Sequence, residues 1–244
     1  MNIEEYPAYC VTLPNGELNE SAVCKLSGYH LLICAGAEQA LASTGQSISE
    51  SVARGFAWAI TSMTVRVHRP LRHCRPVRCR TWVSAHESVY SRREVSFDDE
   101  DGSLFDATLF FVPLDISTKH ILHDESVYEA AGTYTGDRLL PDAVNRHKCP
   151  DNCEVFGSRV VRPGDIDALG HMNNCRYGAM VYDTLSKEER AMLAAPFEYT
   201  LDFRRQLREG ESVRIERVCG DGTIYVKGIN ADERESFAAS IRGL

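Results

Sequence analysis

The segment Arg162-Pro-Gly-Asp-Ile-Asp-Ala-Leu-Gly-His-Met-Asn-Asn-Cys-Arg-Tyr177 places two carboxylates, an imidazole, two amides and a phenol within sixteen residues. Arg162-Pro163-Gly164 cannot continue a regular element, because proline lacks an N–H and glycine favours turns. After Gly170 the apolar positions Met172, Cys175, Ala179 and Tyr182 fall at helical spacing. A loop carrying Asp165 and Asp167 therefore runs into a helix predicted over His171–Leu185. Free backbone N–H groups and the positive end of the helix dipole gather at such a start. A carboxylate there can attack an acyl carbon or activate water, while the N–H groups polarise a carbonyl oxygen. A D-x-D before a helix is more often an ordinary capped end beside a solvated loop, so the choice depends on the rest of the chain.

The 244 residues allow one large domain or two of about 120. With 43% hydrophobic and 25% charged residues, the composition is that of a globular protein. No run of eighteen apolar residues exists, so no membrane span is expected. The acidic N-terminus is unlike a secretory signal, and a cytoplasmic location is expected. Nine cysteines are present, without C-x-x-C pairs or histidines at zinc spacing, so neither a metal nor another cofactor is expected. Cys34 and Cys175 read as small buried hydrophobes on helices.

The net charge is −8, yet Arg66, Arg69, Arg72, Arg75, Arg78 and Arg80 follow one another with no acidic residue between them. That run reads equally as a solvated strand edge or as a docking surface for an acidic partner. Nucleic acid is disfavoured, because the chain is acidic overall and lacks a basic stripe interleaved with aromatics.

The elements that must position the Asp loop recur in one order. A short strand (Tyr6–Leu13) precedes a helix (Tyr29–Ser43) that is apolar nearly all round. Strands are predicted at Phe56–His68, Val77–Glu87, Tyr90–Phe97 and Ser103–Ile116. Residues 122–152 are polar and read as a partly ordered connection. Then the order repeats: a strand (Glu154–Val161), the Asp loop, its helix, and a short helix near Lys187–Leu193. Strands follow at Phe197–Leu207, Ser212–Cys219, Thr223–Ile229 and Ser236–Arg242. The repeat signals a duplicated fold, with units at 1–125 and 153–244 joined by a linker at 126–152. A helix wrapped by a long-stranded antiparallel sheet is the hotdog architecture. The fold class is thus α+β, a double hotdog whose two units form one continuous sheet with both helices on one face.

Asp165-Ile-Asp-Ala-Leu-Gly-His-Met-Asn-Asn-Cys-Arg-Tyr177 resembles the D-x-D-x-x-G-H-x-N-N-x-x-Y signature of hotdog thioesterases. Gly55-Phe-Ala-Trp58, Val65-Arg-Val-His-Arg-Pro70, Arg80-Thr-Trp82, Arg92-Arg93, Asp101-Gly102, Pro113-Leu-Asp-Ile-Ser-Thr118 and Glu198-Tyr-Thr-Leu-Asp-Phe-Arg-Arg205 resemble segments of the acyl-acyl-carrier-protein thioesterase family. The resemblance spans about residues 25–242 and implies a hydrolase that releases free fatty acid from acyl carrier protein, its partner. It implies Asp167 as nucleophile or base and His171 beside the thioester, with amides around His171–Asn173 holding the oxyanion. It further implies that Trp58, Leu169, Gly170, Met172 and Asn173 touch substrate, and that Asn174 and Tyr177 brace the loop. Arg66, Arg69, Arg72, Arg75 and Arg78 would dock the carrier protein, and a homodimer is compatible with the fold.

The chain departs from plant members of the family at two places. Leu169 stands where they have Asn, and Gln206-Leu207 stands where they have Glu-Cys. Leu169 cannot hydrogen-bond a water. Gln206, on a strand expected to face the Asp loop, can orient a water but cannot take its proton at neutral pH. Hydrolysis of coenzyme A esters and non-catalytic acyl binding remain alternatives. A dehydratase is disfavoured, because His30 is the only histidine at the first helix and no matching motif surrounds it.

Overall fold

The computed structural model describes residues 3–244. The first half supplies β1 (Ala8–Val11), α1 (Leu26–Ser43), α2 (Ile48–Ala53), β2 (Phe56–Val67), β3 (Val77–Glu87), β4 (Tyr90–Asp99), β5 (Gly102–Asp115) and α3 (Glu125–Ala130). The second supplies β6 (Glu154–Val160), α4 (Asn174–Tyr182), α5 (Lys187–Met192), β7 (Phe197–Phe203), β8 (Ser212–Gly220), β9 (Thr223–Ile229) and β10 (Glu235–Gly243). All ten strands join one antiparallel sheet in the order β1-β3-β4-β5-β2-β7-β10-β9-β8-β6.

The halves meet at β2 and β7, in register from Ser62 opposite Asp202 to Val67 opposite Phe197. Period-two alternation makes this seam two-faced. Met63, Val65 and Val67 pair with Leu201, Tyr199 and Phe197 on the side covered by helices, and all six are buried. Ser62, Thr64 and Arg66 point the other way. There the Ser62 hydroxyl donates to Asp202 at 2.9 Å, and Arg66 Nε donates to Glu198 at 2.8 Å.

On the helical side α1 packs against α4. Their crossing depends on a missing side chain. A Cβ at Gly178 would stand 3.0 Å from the His30 ring. His30 itself is fully buried and stacks on Tyr199, with ring centroids 5.4 Å apart.

The connection at 122–152 is more ordered than its polar composition predicts. It begins with α3 and then crosses the sheet's other face. Arg92 and Glu94 form a buried ion pair at 2.7 Å, and Arg92 Nη2 donates to the Leu140 carbonyl at 2.5 Å. Thr61 donates to Asn145 at 2.7 Å, and the His147 amide to Asp202 at 2.9 Å. Strand polar groups thus supply the partners that hold an apolar-poor segment down.

Two predicted boundaries need correction. The second helix begins at Asn174 rather than His171, because the Asn173 side chain accepts the Cys175 amide at 2.9 Å and caps it there. Strand β7 ends at Phe203 rather than Leu207, because the Arg204 and Arg205 amides both turn to the Ser236 carbonyl, at 2.8 and 3.0 Å. Gln206 therefore lies on a loop and not on a strand. Helix α2, absent from the predicted elements, starts with a capping box between Ser47 and Glu50.

Candidate active site

The two carboxylates of the loop have different roles. Asp165 is buried, accepts the Arg162 amide and the Arg159 guanidinium at 3.0 Å each, and its carbonyl takes the Asn173 amide at 2.8 Å. It is a brace. Asp167 is half-buried, with Oδ1 held by the Leu169 amide at 2.8 Å. Gly170 closes the turn at φ +78°, where a side chain would be strained. The loop is fastened at its far end too. The Met172 amide donates to the Leu207 carbonyl at 2.8 Å.

These bonds occupy two of the three amides expected to hold the oxyanion. Among the amides of His171–Asn173, that of Met172 is taken by Leu207 and that of Asn173 by Asp165. One residue further on, Cys175 gives its amide to the Asn173 side chain. Asn174, the first residue of α4, has no such internal acceptor, as expected for a first-turn amide.

Asp167, Leu169, Asn173, Asn174 and Cys175 line one wall of a cavity of ≈ 200 Å³. The first half builds the rest, from Cys34, Ala37, Glu38 and Leu41 on α1, Trp58 and Ile60 on β2, and Leu109 and Phe111 on β5. Trp58 is fixed by its indole N–H, which donates to the Gln46 side chain at 2.9 Å, and by edge contact with Phe111 at 4.9 Å. Arg93 also borders the cavity, buried, donating to Thr81 at 3.2 Å and to the Ala131 carbonyl at 3.1 Å. Burial pushes its guanidinium down to about 10, so it stays charged at neutral pH. A mainly apolar slot bounded at one end by a carboxylate and a helix start can hold an acyl chain and present its carbonyl to Asp167.

The acyl-ACP thioesterase N-terminal domain matches residues 19–128, and the acyl-ACP thioesterase C-terminal domain matches residues 154–238. The chain belongs to the acyl-ACP thioesterase family. Two solved structures share its fold end to end. An acyl-ACP thioesterase from Bacteroides thetaiotaomicron is 17% identical with a TM-score of 0.81, and 99% of each chain is covered. A 12:0-ACP thioesterase from Umbellularia californica is 17% identical with a TM-score of 0.79, covering 97% of this chain and 96% of that one. No curated protein matches the sequence.

In this thioesterase the residues singled out in the sequence do not all converge. Asp167, Leu169, Asn173 and Trp58 share the cavity. Met172 does not line it; its side chain is buried in the core, and its apolar periodicity reports packing. Gly170 shapes the turn without lining the cavity. His171 is half-buried behind the loop. Burial lowers its imidazole below the ordinary value, against the opposing pull of the Asp167 charge, so it is neutral at pH 7. Gln206 is exposed and outside the cavity wall. Glu38, Gln46, Arg93 and Asn174 line the wall and were not identified as wall residues from the sequence. Cys34, Ala37, Glu38 and Leu41 have one-face helical spacing, a signal hidden because α1 is apolar nearly all round.

The arginine run is mostly compensated. Arg66 pairs with Glu198 at 2.6 Å and Asp142 at 2.9 Å, Arg80 with Asp98 at 2.9 Å, and Arg69 and Arg78 with Asp99 and Asp98. Arg72 donates to the Ala194 carbonyl at 3.1 Å, and Arg75 is 4.0 Å from Glu100 with both side chains exposed. Of the five arginines expected to dock an acidic partner, Arg72 and Arg75 are therefore the least compensated. The partners come from the end of β4, the β4–β5 turn, the linker and β7, which the run itself does not reveal. No helix among the described residues is long and apolar enough to cross a membrane, and no group of three metal-ligating side chains occurs among them.

Proposed function

We propose that Asp167 carries the hydrolysis of fatty acyl-acyl carrier protein, the reaction of the family, with the acyl chain lying in the cavity between α1 and the sheet. The observation that supports this reading is the shared cavity: the catalytic loop of the second half opens into apolar walls built by the first. The unit at 1–125 is the acyl-binding half, the unit at 153–244 the catalytic half, and 126–152 the strap between them.

The thioester carbonyl lies against the start of α4. There the Asn174 amide, at the positive end of the helix, takes the charge that develops on oxygen. Leu169 holds one oxygen of Asp167 and leaves the other for the substrate, as nucleophile or as base for water. The carboxylate route forms a mixed anhydride and releases the carrier thiol before water cleaves it. The base route transfers the proton of water to Asp167 and then to the departing thiol. Both end in a free fatty acid and the carrier thiol. Gln206 does not line the cavity, which leaves Asp167 to do both jobs. Arg72 and Arg75 steer the acidic carrier protein.

The test is turnover of matched carrier-protein and coenzyme A esters by wild type and Asp167→Asn. The variant keeps shape and loses at least ~10²-fold in rate, the low end for removing a general base. Repeated turnover in H₂¹⁸O separates the two routes, since only the nucleophile route places label in the Asp167 carboxylate. Wild-type rates retained in Asp167→Asn would refute the assignment.

A further inference from the structure

Strand β4 buries two consecutive arginines and pairs only one of them with an acid. Arg92 and Arg93 are 2% and 4% exposed. Strand alternation sends them to opposite faces of the sheet. Arg92 meets Glu94 at 2.7 Å on the face that the strap crosses. Arg93 shares the other face with Val95 and Phe97, which belong to the core beneath α1, and it borders the acyl cavity. Among the described residues Arg93 has no carboxylate partner. Its bonds to the Thr81 hydroxyl and the Ala131 carbonyl account for two of the five N–H donors of a guanidinium. Glu38 lines the same cavity, but its Oε1 accepts the Ile48 amide at 2.9 Å. A buried charge is costly unless a counter-charge or a full set of hydrogen bonds meets it.

The strands of the cavity wall follow one another from the second half outward as β2, β5 and β4. Asp167 comes from the second half, so Arg93 stands on the wall strand farthest from it. Between them lie Trp58, Ile60, Leu109 and Phe111, whose surface suits methylene groups. The guanidinium is fixed by Thr81, by Ala131 and by the Phe111 ring, whose centroid is 5.6 Å from Cζ. Its remaining donors are therefore held in place before a ligand arrives.

We propose that Arg93 selects acyl chains that carry an oxygen function, a hydroxyl or a carboxylate, toward the end remote from the thioester. That oxygen accepts a hydrogen bond from the guanidinium, and the methylenes before it fill the apolar slot. A plain alkyl end that reaches Arg93 strips water from the charge and returns no bond. Burial brings the guanidinium down only to about 10, so its donors are present at neutral pH. The selection rests on the proposed seat of the acyl chain in this cavity, whereas binding of a free acid at Arg93 does not need the hydrolysis assigned to Asp167.

The experiment measures kcat/KM on carrier-protein esters matched in length from hexanoyl to decanoyl, each as the plain, ω-hydroxy and ω-carboxy chain. Wild type, Arg93→Met and Arg93→Lys are compared through the ratio of oxygen-bearing to plain substrate, which a partly unfolded sample does not change. At the length that reaches Arg93, wild type should favour an oxygen-bearing chain ~10-fold or more, as expected for a hydrogen bond to a charged group. The ratio should fall to about one or below in Arg93→Met and survive in part in Arg93→Lys, which keeps the charge and loses the planar fork. Calorimetric binding of the corresponding free acids to the full chain should give the same order without turnover. A preference for either oxygen function supports the proposal; a lead for the carboxylate identifies charge pairing, and a lead for the hydroxyl a neutral acceptor. Equal or better use of plain chains by wild type at every length, or a preference unchanged in Arg93→Met, overturns it. Wild type that is inert on every ester refutes the hydrolysis assigned to Asp167, and the binding measurement still tests Arg93.

Discussion

Acidification should destabilise this thioesterase through His30, by an amount that the structure sets. The ring is fully buried, its Nδ1 lies 3.3 Å from the Asn174 carbonyl, and its Nε2 has no protein partner. Nδ1 is therefore the donor of a neutral imidazole. Burial, only partly offset by that hydrogen bond, pushes the group from 6.5 down to about 4. A group whose folded value lies below its unfolded value binds its proton first in the unfolded chain. Its contribution to stability is complete above about 6.5, falls as pH drops, and is exhausted below about 4. The gap of about 2.5 units corresponds to about 3 kcal/mol in full, of which about 2 kcal/mol is lost by about pH 5. The perturbation is His30→Asn, which retains a donor for the Asn174 carbonyl and cannot titrate. Urea unfolding of both proteins at about pH 7 and about pH 5 supplies the measurement. The variant begins less stable, because it leaves space beside Tyr199 and Gly178. Its deficit should shrink by about 2 kcal/mol between the two conditions, since carboxylate titrations common to both chains cancel. Parallel stability curves would refute the reasoning.

Other expectations follow from single contacts. Asp165→Asn should cost about 1–3 kcal/mol of stability through its lost charge-assisted bonds, with far less effect on turnover than Asp167→Asn; unfolding and rate assays on the pair check it. Gly178→Ala forces a Cβ to 3.0 Å from His30 and should lower stability by about 1–3 kcal/mol, an effect that calorimetry would miss only if the helices separate freely. Reversing Arg72 and Arg75 to Glu should raise KM for carrier-protein esters in a salt-dependent way and spare short uncharged thioesters; equal effects on both would assign the arginines to the fold. Gln206→Ala should leave turnover within about 3-fold of wild type, because the side chain is exposed, and a larger loss would place it in the reaction after all.

The strands were legible because their ends coincide with turn chemistry: β3 and β9 run as alternation and flanking turns predict. Legibility failed where a distant partner overrides the local pattern. Met172 has helical spacing with Cys175, yet its amide belongs to Leu207, and so α4 begins later. The Asp loop was readable because its residues are contiguous. The cavity wall was not, because α1, α2, β2 and β5 each contribute a few residues and β4 one, and an all-apolar α1 gives its periodicity no direction. The arginine run looked free for the same reason, its carboxylate partners lying on other elements.

The duplicated units also differ at their helix starts in a way that fits the proposed assignment. The run Lys25-Leu-Ser-Gly-Tyr-His30 holds no carboxylate, which predicts a first half without an acid at its helix start. The fold brings one there anyway: Glu17 accepts the Ser27 hydroxyl at 2.5 Å, one residue inside α1. A carboxylate near a helix start therefore occurs in both halves. Around Glu17 the space is bordered by Asp165, Arg176 and Asn173, whereas around Asp167 it continues into Trp58, Leu109 and Phe111. The helix starts differ as well. Asn173 caps α4 with its side chain, while Lys25 offers α1 no side-chain hydrogen bond. Where the helices cross, the fifth residue of α1 is His30 and the fifth residue of α4 is Gly178, and ring and vacancy interlock. On the proposed assignment, reactivity belongs to the half whose carboxylate opens onto apolar walls, and those walls come from the other half. Neither unit alone contains the site, and a substitution that loosens the His30–Gly178 crossing should impair hydrolysis without touching a reacting group.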